Sequence, residues 1–269
     1  MEGHKHKHGH HSHGVQTMDF YAFQSGLREW NGGFKVLLAL LILILCIALN
    51  DIWVSLTVII TVGMVNVIGN KVPVRQYLEL LKIPIAFLVL GCIAIAFGVS
   101  VKPMGDYRIS LHWFYLYLTK TDIRRAAELF LKAMGAISAM YFMALSTPAS
   151  ELISVLRKAH IPKLIVELMN MIYRFIFILT DVQGRMKRAA VSRLGYADFR
   201  TSCNSFGKIA GNLFIISLKK ADAYYDAMIS RCYDGEIRFL EEEKKVNGIQ
   251  LVGMTGYLAA LVLMWYIGQ

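Results

Sequence analysis

Five apolar runs set the first limit on this chain, because they require a fold built inside a lipid bilayer. They cover residues 36–49, 52–68, 83–101, 126–146 and 249–267. A helix crossing the ~30 Å hydrocarbon layer needs roughly 20 mostly apolar residues. In lipid, backbone groups must be bonded within the segment, which favours helices. The first run falls short of that length, so it is expected to tilt or to use Lys35 as a snorkelling end. Pro84 is expected near the start of the third helix, where a missing amide does least harm. Composition agrees, at 56% hydrophobic against roughly 45–50% for a soluble domain. The expected fold is all-α, a polytopic membrane protein with about five transmembrane helices and a cytoplasmic helical arm.

That arm is residues 147–248, a basic stretch between the fourth and fifth runs. From Ile165 the positions Leu168, Met169, Ile172, Phe175, Ile176, Leu179, Val182 and Met186 follow the three-and-four step of one helix face. No proline falls between Lys163 and Leu194, and a helix over that span would be ~48 Å long at ~1.5 Å per residue. Gly195 is the expected left-handed cap. A second helix is read from Phe206, Ile209, Leu213, Ile216, Tyr224 and Met228, with Gly235 as its stop. Residues 164–180 are apolar enough to pass for a further crossing, but Glu167 and Arg174 lie among them. Each charge at mid-bilayer costs ~2.5–3.5 kcal/mol on insertion scales. The helix therefore reads as amphipathic, lying along or beneath the membrane.

Both arm helices end on an arginine, Arg193 between Ser192 and Leu194, and Arg231 between Ser230 and Cys232. A cation in the last turn complements the helix dipole. A guanidinium there also reaches past the helix end and can fork onto a partner's carboxylate. On charge alone both readings stand. Gly207 and Gly211 share one helix face and permit close crossing by another helix, with Gly184, Ala189 and Ala190 offering the other side. Small residues are common enough for that spacing to arise by chance.

Residues 1–17 read as a disordered, His-rich head carrying His4, His6, His8, His10, His11 and His13. Alternating imidazoles suit loose binding of Ni, Co, Cu or Zn; a purification tag or an inert head fits the same composition. No apolar core or cleavage site marks a secretory signal. Residues 19–34 read as an amphipathic lead-in, and residues 102–125, with Trp113, Tyr115 and Tyr117, as an interfacial segment. The formal charge of +10 lies near the apolar spans and in no compact basic-aromatic module, so nucleic acid is not expected as a partner. The arm holds the largest basic excess and is placed in the cytoplasm, which puts the amino end inside and Gln269 outside. Arg124 and Arg125 then fall outside, against the rule. Cys46, Cys92, Cys203 and Cys232 show neither zinc nor disulfide spacing. No phosphate loop, nucleophile elbow or paired metal-protease histidines occur, and His112 and His160 stand alone.

Thr147-Pro148, Leu152, Leu156, Ile161-Pro162, Leu164 and Tyr173-Arg174-Phe175-Ile176-Phe177, with Asp19, Tyr21, Ala22, Ser25, Leu27, Arg28 and Lys35 earlier, resemble the T component of energy-coupling-factor (ECF) transporters. The likeness is to the cobalt and nickel branch, the CbiQ-type proteins, and runs from Met18 to the end. It implies that Ala-Arg-Gly-like motifs end crossed coupling helices and that each arginine docks on one ATPase subunit. Carried over, those arginines are Arg193 and Arg231; Ser192, Leu194, Ser230 and Cys232 depart from the pattern at the flanks. The resemblance further implies two ATP-binding cassette subunits holding ATP and Mg, a CbiM-like metal-capturing membrane subunit, and cobalt or nickel as cargo. The chain itself would hold no cofactor, catalyse no reaction, and reside in a prokaryotic cell membrane.

The expected organisation is a head at 1–17, lead-in and four crossings at 18–146, coupling helices at 147–248 and a last crossing at 249–269. Two other readings fit less of the sequence. A shared vitamin-type T component would carry the same arm. A stand-alone secondary transporter would need inverted repeats and broken helices, neither of which is visible.

Overall fold

The computed structural model describes residues 14–100, 107–111, 114–118, 120–159, 161–235, 244 and 246–268. The chain divides into two compact units, one of Met1–Leu152 with Glu243–Gln269 and one of Ile153–Glu242. Among the described residues of the first unit, five helices are long and apolar enough to cross a membrane: Gly32–Leu49, Ile52–Gly69, Val74–Ile95, Thr121–Ser146 and Gly248–Ile267. The helical, polytopic membrane fold read from the sequence is the one observed.

A short helix, α1 (Gly14–Gln24), leads into α2 (Gly32–Leu49). Asn31 caps α2, its side-chain oxygen accepting from the amides of Gly33 at 2.8 Å and Phe34 at 3.3 Å. The helix therefore begins ahead of the apolar run, and its 18 residues give about 27 Å, close to a full crossing. Lys35 does not snorkel. It is fully buried, its Nζ donating to the Ser146 carbonyl at 2.7 Å and to Glu151 Oε2 at 3.0 Å. A cation with two such acceptors has no need to reach water.

The hairpin to α3 (Ile52–Met64) takes two residues. Asn50 closes α2 at φ 44°, and Asp51 caps α3 through Trp53 N at 3.1 Å. A π-helical turn, Val65–Gly69, finishes this crossing. It is tied to the lead-in by Gly26 N donating to Gly69 O at 3.1 Å and Ser25 Oγ donating to Asn70 Oδ1 at 2.7 Å.

The third crossing, α4 (Val74–Ala96), begins nine residues ahead of the apolar run at 83–101, so Pro84 lies in the helix interior and not near its start. It is tolerated there because Tyr141 supplies a hydrogen bond to the turn it disrupts. Next comes a small antiparallel sheet of β1 (Phe97–Ser100), β2 (Tyr107–Leu111) and β3 (Phe114–Leu118), in the order β1-β3-β2. It occupies part of the stretch read as interfacial; His112 and Trp113 lie outside the described residues. The fourth crossing, α5 (Lys120–Ser146), is central, packing against α2, α3 and α4. One apolar cluster joins Ala39, Ile42, Val54, Val58, Ala139 and Phe142; a second joins Val72, Tyr77, Leu81, Met134 and Leu145. After α6 (Ala149–Lys158) come the two long helices of the second unit, and α9 (Gly248–Gly268) closes the membrane unit.

In the second unit α7 (Lys163–Ser192) and α8 (Phe199–Ile229) lie antiparallel, joined by a short turn. Neither is apolar enough over a membrane length to count as a span. The charges that argued against a crossing meet the partner helix or its end. Tyr233 Oη donates to Glu167 Oε2 at 3.4 Å, and the Arg174 guanidinium lies 5.8 Å from the centre of the Tyr224 ring. Phe175 meets the same ring edge-on at 5.6 Å. Desolvation, then the Glu167 charge, raises the Tyr233 pKa, which keeps its phenol a donor.

Candidate coupling site

The two arginines occupy the same local structure. At the end of α7, Arg193 N bonds to Ala190 O, Leu194 N to Val191 O and Gly195 N back to Ala190 O, at 3.1, 3.0 and 2.8 Å. At the end of α8, Arg231 N bonds to Met228 O, Cys232 N to Ile229 O and Tyr233 N back to Met228 O, at 2.9, 2.9 and 3.1 Å. Both are Schellman-type closures, in which one residue turns left-handed so that the following amide reaches the last orphan carbonyls. The preceding serines match as well, Ser192 Oγ donating to Arg188 O at 3.0 Å and Ser230 Oγ to Asp226 O at 2.8 Å.

The left-handed residue is not the one expected. Leu194 and Cys232 take φ of 59° and 57°, each directly after its arginine. Gly195 is needed for a different reason: a Cβ there would lie 2.7 Å from Ser205 Oγ and 2.8 Å from Ala190 O. It permits close approach of α8 and does not supply the turn. Leu194 and Cys232 stand where the Ala-Arg-Gly-like pattern has its glycine, which accounts for the type of residue that pattern carries.

Arg193 and Arg231 are both exposed, and among the described residues neither is paired with a carboxylate. Between them lies the whole of α8, 31 residues, or about 46 Å at ~1.5 Å per residue. The helix pair thus presents one guanidinium at its closed end and another at its open end. A stiff rod with a cation at each end suits contact with two separate bodies.

Among the described residues, no helix crosses at the small residues. A Cβ at Gly207 or Gly211 would meet nothing within 4 Å, and one at Gly184 would meet only Arg188 of its own helix. Ala189 is exposed and Ala190 half-buried. The helices instead meet through the aromatic and polar side chains named above. Of the apolar stripes, Phe175, Leu179, Val182 and Met186 on α7, and Ile209, Leu213, Ile216, Tyr224 and Met228 on α8, are partly or fully buried, whereas Leu168, Ile172, Ile176 and Phe206 are exposed. No residue of α8 is fully buried. His4, His6, His8, His10, His11, His13 and His160 lie outside the described residues, as does Gln269.

One cluster carried no signal in sequence spacing. Glu151, in the first turn of α6, holds Lys35 on Oε2 and Lys244 on Oε1. The partners come from three distant stretches, so only the fold unites them.

A family profile described as cobalt transport protein, CbiQ, matches residues 23–242. The cobalt transport protein CbiQ of Salmonella typhimurium is 29% identical over 81% of this chain and 97% of its own. A putative fused cobalt transport protein CbiMQ of Methanocorpusculum labreanum is 29% identical over 91% of this chain and 41% of its own. The energy-coupling factor transporter transmembrane protein EcfT of Ruminiclostridium cellulolyticum is 28% identical over 87% of this chain and 90% of its own. With five apolar crossings and a two-helix arm ending in matched arginines, the chain belongs to the CbiQ cobalt transport family, the T components of energy-coupling-factor transporters, and is a multi-pass protein of the cell membrane.

Proposed function

We propose that this chain is the energy-coupling membrane subunit of an ATP-driven importer of cobalt or nickel ions. It links two ATP-binding cassette subunits to a CbiM-like membrane subunit that captures the metal. ATP and Mg belong to the cassette subunits, and the metal ion is cargo. The observation that carries the reading is the pair of matching helix ends, held about 46 Å apart by the 31 residues of α8. Each offers an exposed guanidinium to a carboxylate-bearing groove on one cassette subunit, a contact with the strength and direction of a forked ion pair. When the cassettes close on ATP, both ends of the rod are carried with them, and α7 and α8 pass that movement on. The exposed Leu168, Ile172, Phe206, Phe214 and Leu218 add apolar surface of the kind partner subunits cover. A relative named as a fusion of CbiM with CbiQ supports the metal-capturing partner.

The EcfT-named relative favours a second reading, a T component shared among vitamin-capturing subunits. Purification in mild detergent followed by identification of copurified subunits and bound metal separates the two. A cassette pair with one metal-binding membrane subunit is expected; several vitamin-binding partners would favour the second reading. Cobalt flux through the chain reconstituted alone, without nucleotide, would overturn both.

A further inference from the structure

The second unit leaves the membrane unit after Leu152 and the chain returns to it at Glu243. Glu151 stands one residue before Leu152, and Lys244 one residue after Glu243. Their side chains are paired, Lys244 Nζ donating to Glu151 Oε1. The other carboxylate oxygen takes Lys35 Nζ at 3.0 Å, and that ammonium also bonds the Ser146 carbonyl at the end of α5 at 2.7 Å. One carboxylate thus joins the outgoing strand of the chain, the returning strand and the first crossing helix.

The surrounding contacts hold the same three pieces. Lys244 Nζ donates to Arg28 O at 2.6 Å, and Asn31 Nδ2 to Lys244 O at 2.6 Å. Asp19 Oδ1 accepts from Ala149 N at 3.1 Å, tying the lead-in helix to the first turn of α6. Gly32 is a residue without a side chain for a reason, since a Cβ there would lie 3.0 Å from Glu151 Oε2 and 3.2 Å from its Cβ. Lys35 is fully buried, and the Glu151 and Lys244 side chains are 23% and 19% exposed. A buried ammonium needs acceptors, and the Ser146 carbonyl and the Glu151 side chain supply them.

We propose that Glu151, Lys35 and Lys244 form a root clamp that makes the two strands at the base of the arm move with the membrane helices. It is a positioning device and rests on the coupling reading above. Without it the cassettes would still close on ATP, but the arm would swing at its base and the stroke would be lost before reaching the crossing helices. The clamp predicts an uncoupled transporter as the result of its loss, whereas a purely structural role predicts loss of the assembly itself.

The test uses the complete complex of this chain with its cassette and metal-capturing subunits, reconstituted in liposomes. Cobalt imported per ATP hydrolysed is measured in Glu151→Gln, which keeps the shape but has one acceptor oxygen for the two ammoniums, in Lys244→Met, and in Lys244→Arg. The neutral variants are expected to assemble and to hydrolyse ATP within about twofold of the parent, while import per ATP falls about tenfold or more. Lys244→Arg restores the charge and is expected to stay within about twofold of the parent. Unchanged coupling in both neutral variants, or failure of both to assemble, would overturn the clamp. A parent complex that lacks cassette subunits would instead overturn the coupling reading.

Discussion

The hydroxyl of Tyr141 donates to the carbonyl of Leu80 at 2.9 Å, and that carbonyl is the one Pro84 leaves without its helical donor. In lipid an unmet carbonyl costs several kcal/mol, so a proline inside a crossing helix needs a neighbour of this kind. Tyr141→Phe is expected to lower stability by about 1–3 kcal/mol, the cost of leaving a buried acceptor unmet. The loss should shrink in a Pro84→Ala background, where residue 84 regains its amide. Thermal unfolding of the four detergent-purified proteins reads the cycle. Equal losses in the two backgrounds would show that the hydroxyl serves something other than the proline.

The left-handed caps make a second prediction. Leu194 and Cys232 hold φ near 59° and 57° without glycine's freedom, at a cost of roughly 1–2 kcal/mol for an L-residue. Leu194 is 76% exposed, so its removal gives up little packing. Leu194→Gly and Cys232→Gly are each expected to raise stability by about 0.5–1 kcal/mol, part of the relief being offset by the greater freedom of glycine in the unfolded chain. Leu194→Ala, which keeps a Cβ, is expected to gain nothing. A gain as large with alanine would trace the effect to the lost leucine and not to the backbone.

These two cases show what could be read from the residues and what could not. The crossings were legible because lipid imposes a length and an apolarity that no other environment demands of five separate runs. The amphipathic arm was legible because Glu167 and Arg174 forbid a cheap crossing. A lysine at the end of an apolar run snorkels unless it has partners, and those of Lys35 lie far along the chain at Ser146 and Glu151. The position of Pro84 inside a helix is equally illegible, its compensation coming from Tyr141. Gly195 marked the right turn with the wrong role, since a close approach and a positive φ both favour glycine. The glycine crossing failed because a shared helix face says nothing about whether another helix occupies it. For Lys35 and Pro84, what escaped the sequence was a contact across many residues.

Charge distribution fixes an orientation that can be checked directly. With the basic arm on the cytoplasmic side, five crossings put a carboxyl-terminal fusion outside. Arg124 and Arg125 also fall outside, where Arg124 pairs with Glu128 at 3.0 Å, halving the local excess of that pair. An alkaline phosphatase reporter fused at Gln269 is expected to be active, and a fluorescent reporter that folds only in the cytoplasm to be dark. The opposite pattern would mean that one of the five helices does not cross.

The arginines at the two ends of α8 give the sharpest test of coupling. Each guanidinium is exposed, and the 31 residues of α8, a helix about 46 Å long, lie between the two. No single partner groove of ordinary size serves both. Arg193→Glu or Arg231→Glu would set like charges against the carboxylates these residues are proposed to meet, a change that costs on the order of 2–5 kcal/mol at a buried contact. Each variant is expected to weaken binding of cassette subunits by roughly 30-fold or more and to stop cobalt uptake, with membrane insertion unchanged. The double variant is expected to copurify no cassette subunit. Lys219→Glu reverses an exposed charge within α8, away from both ends, and is expected to leave binding within about twofold. Copurification of stoichiometric cassette subunits with the double variant would show that the helix ends do not dock, and a loss as large with Lys219→Glu would make the effect one of net charge.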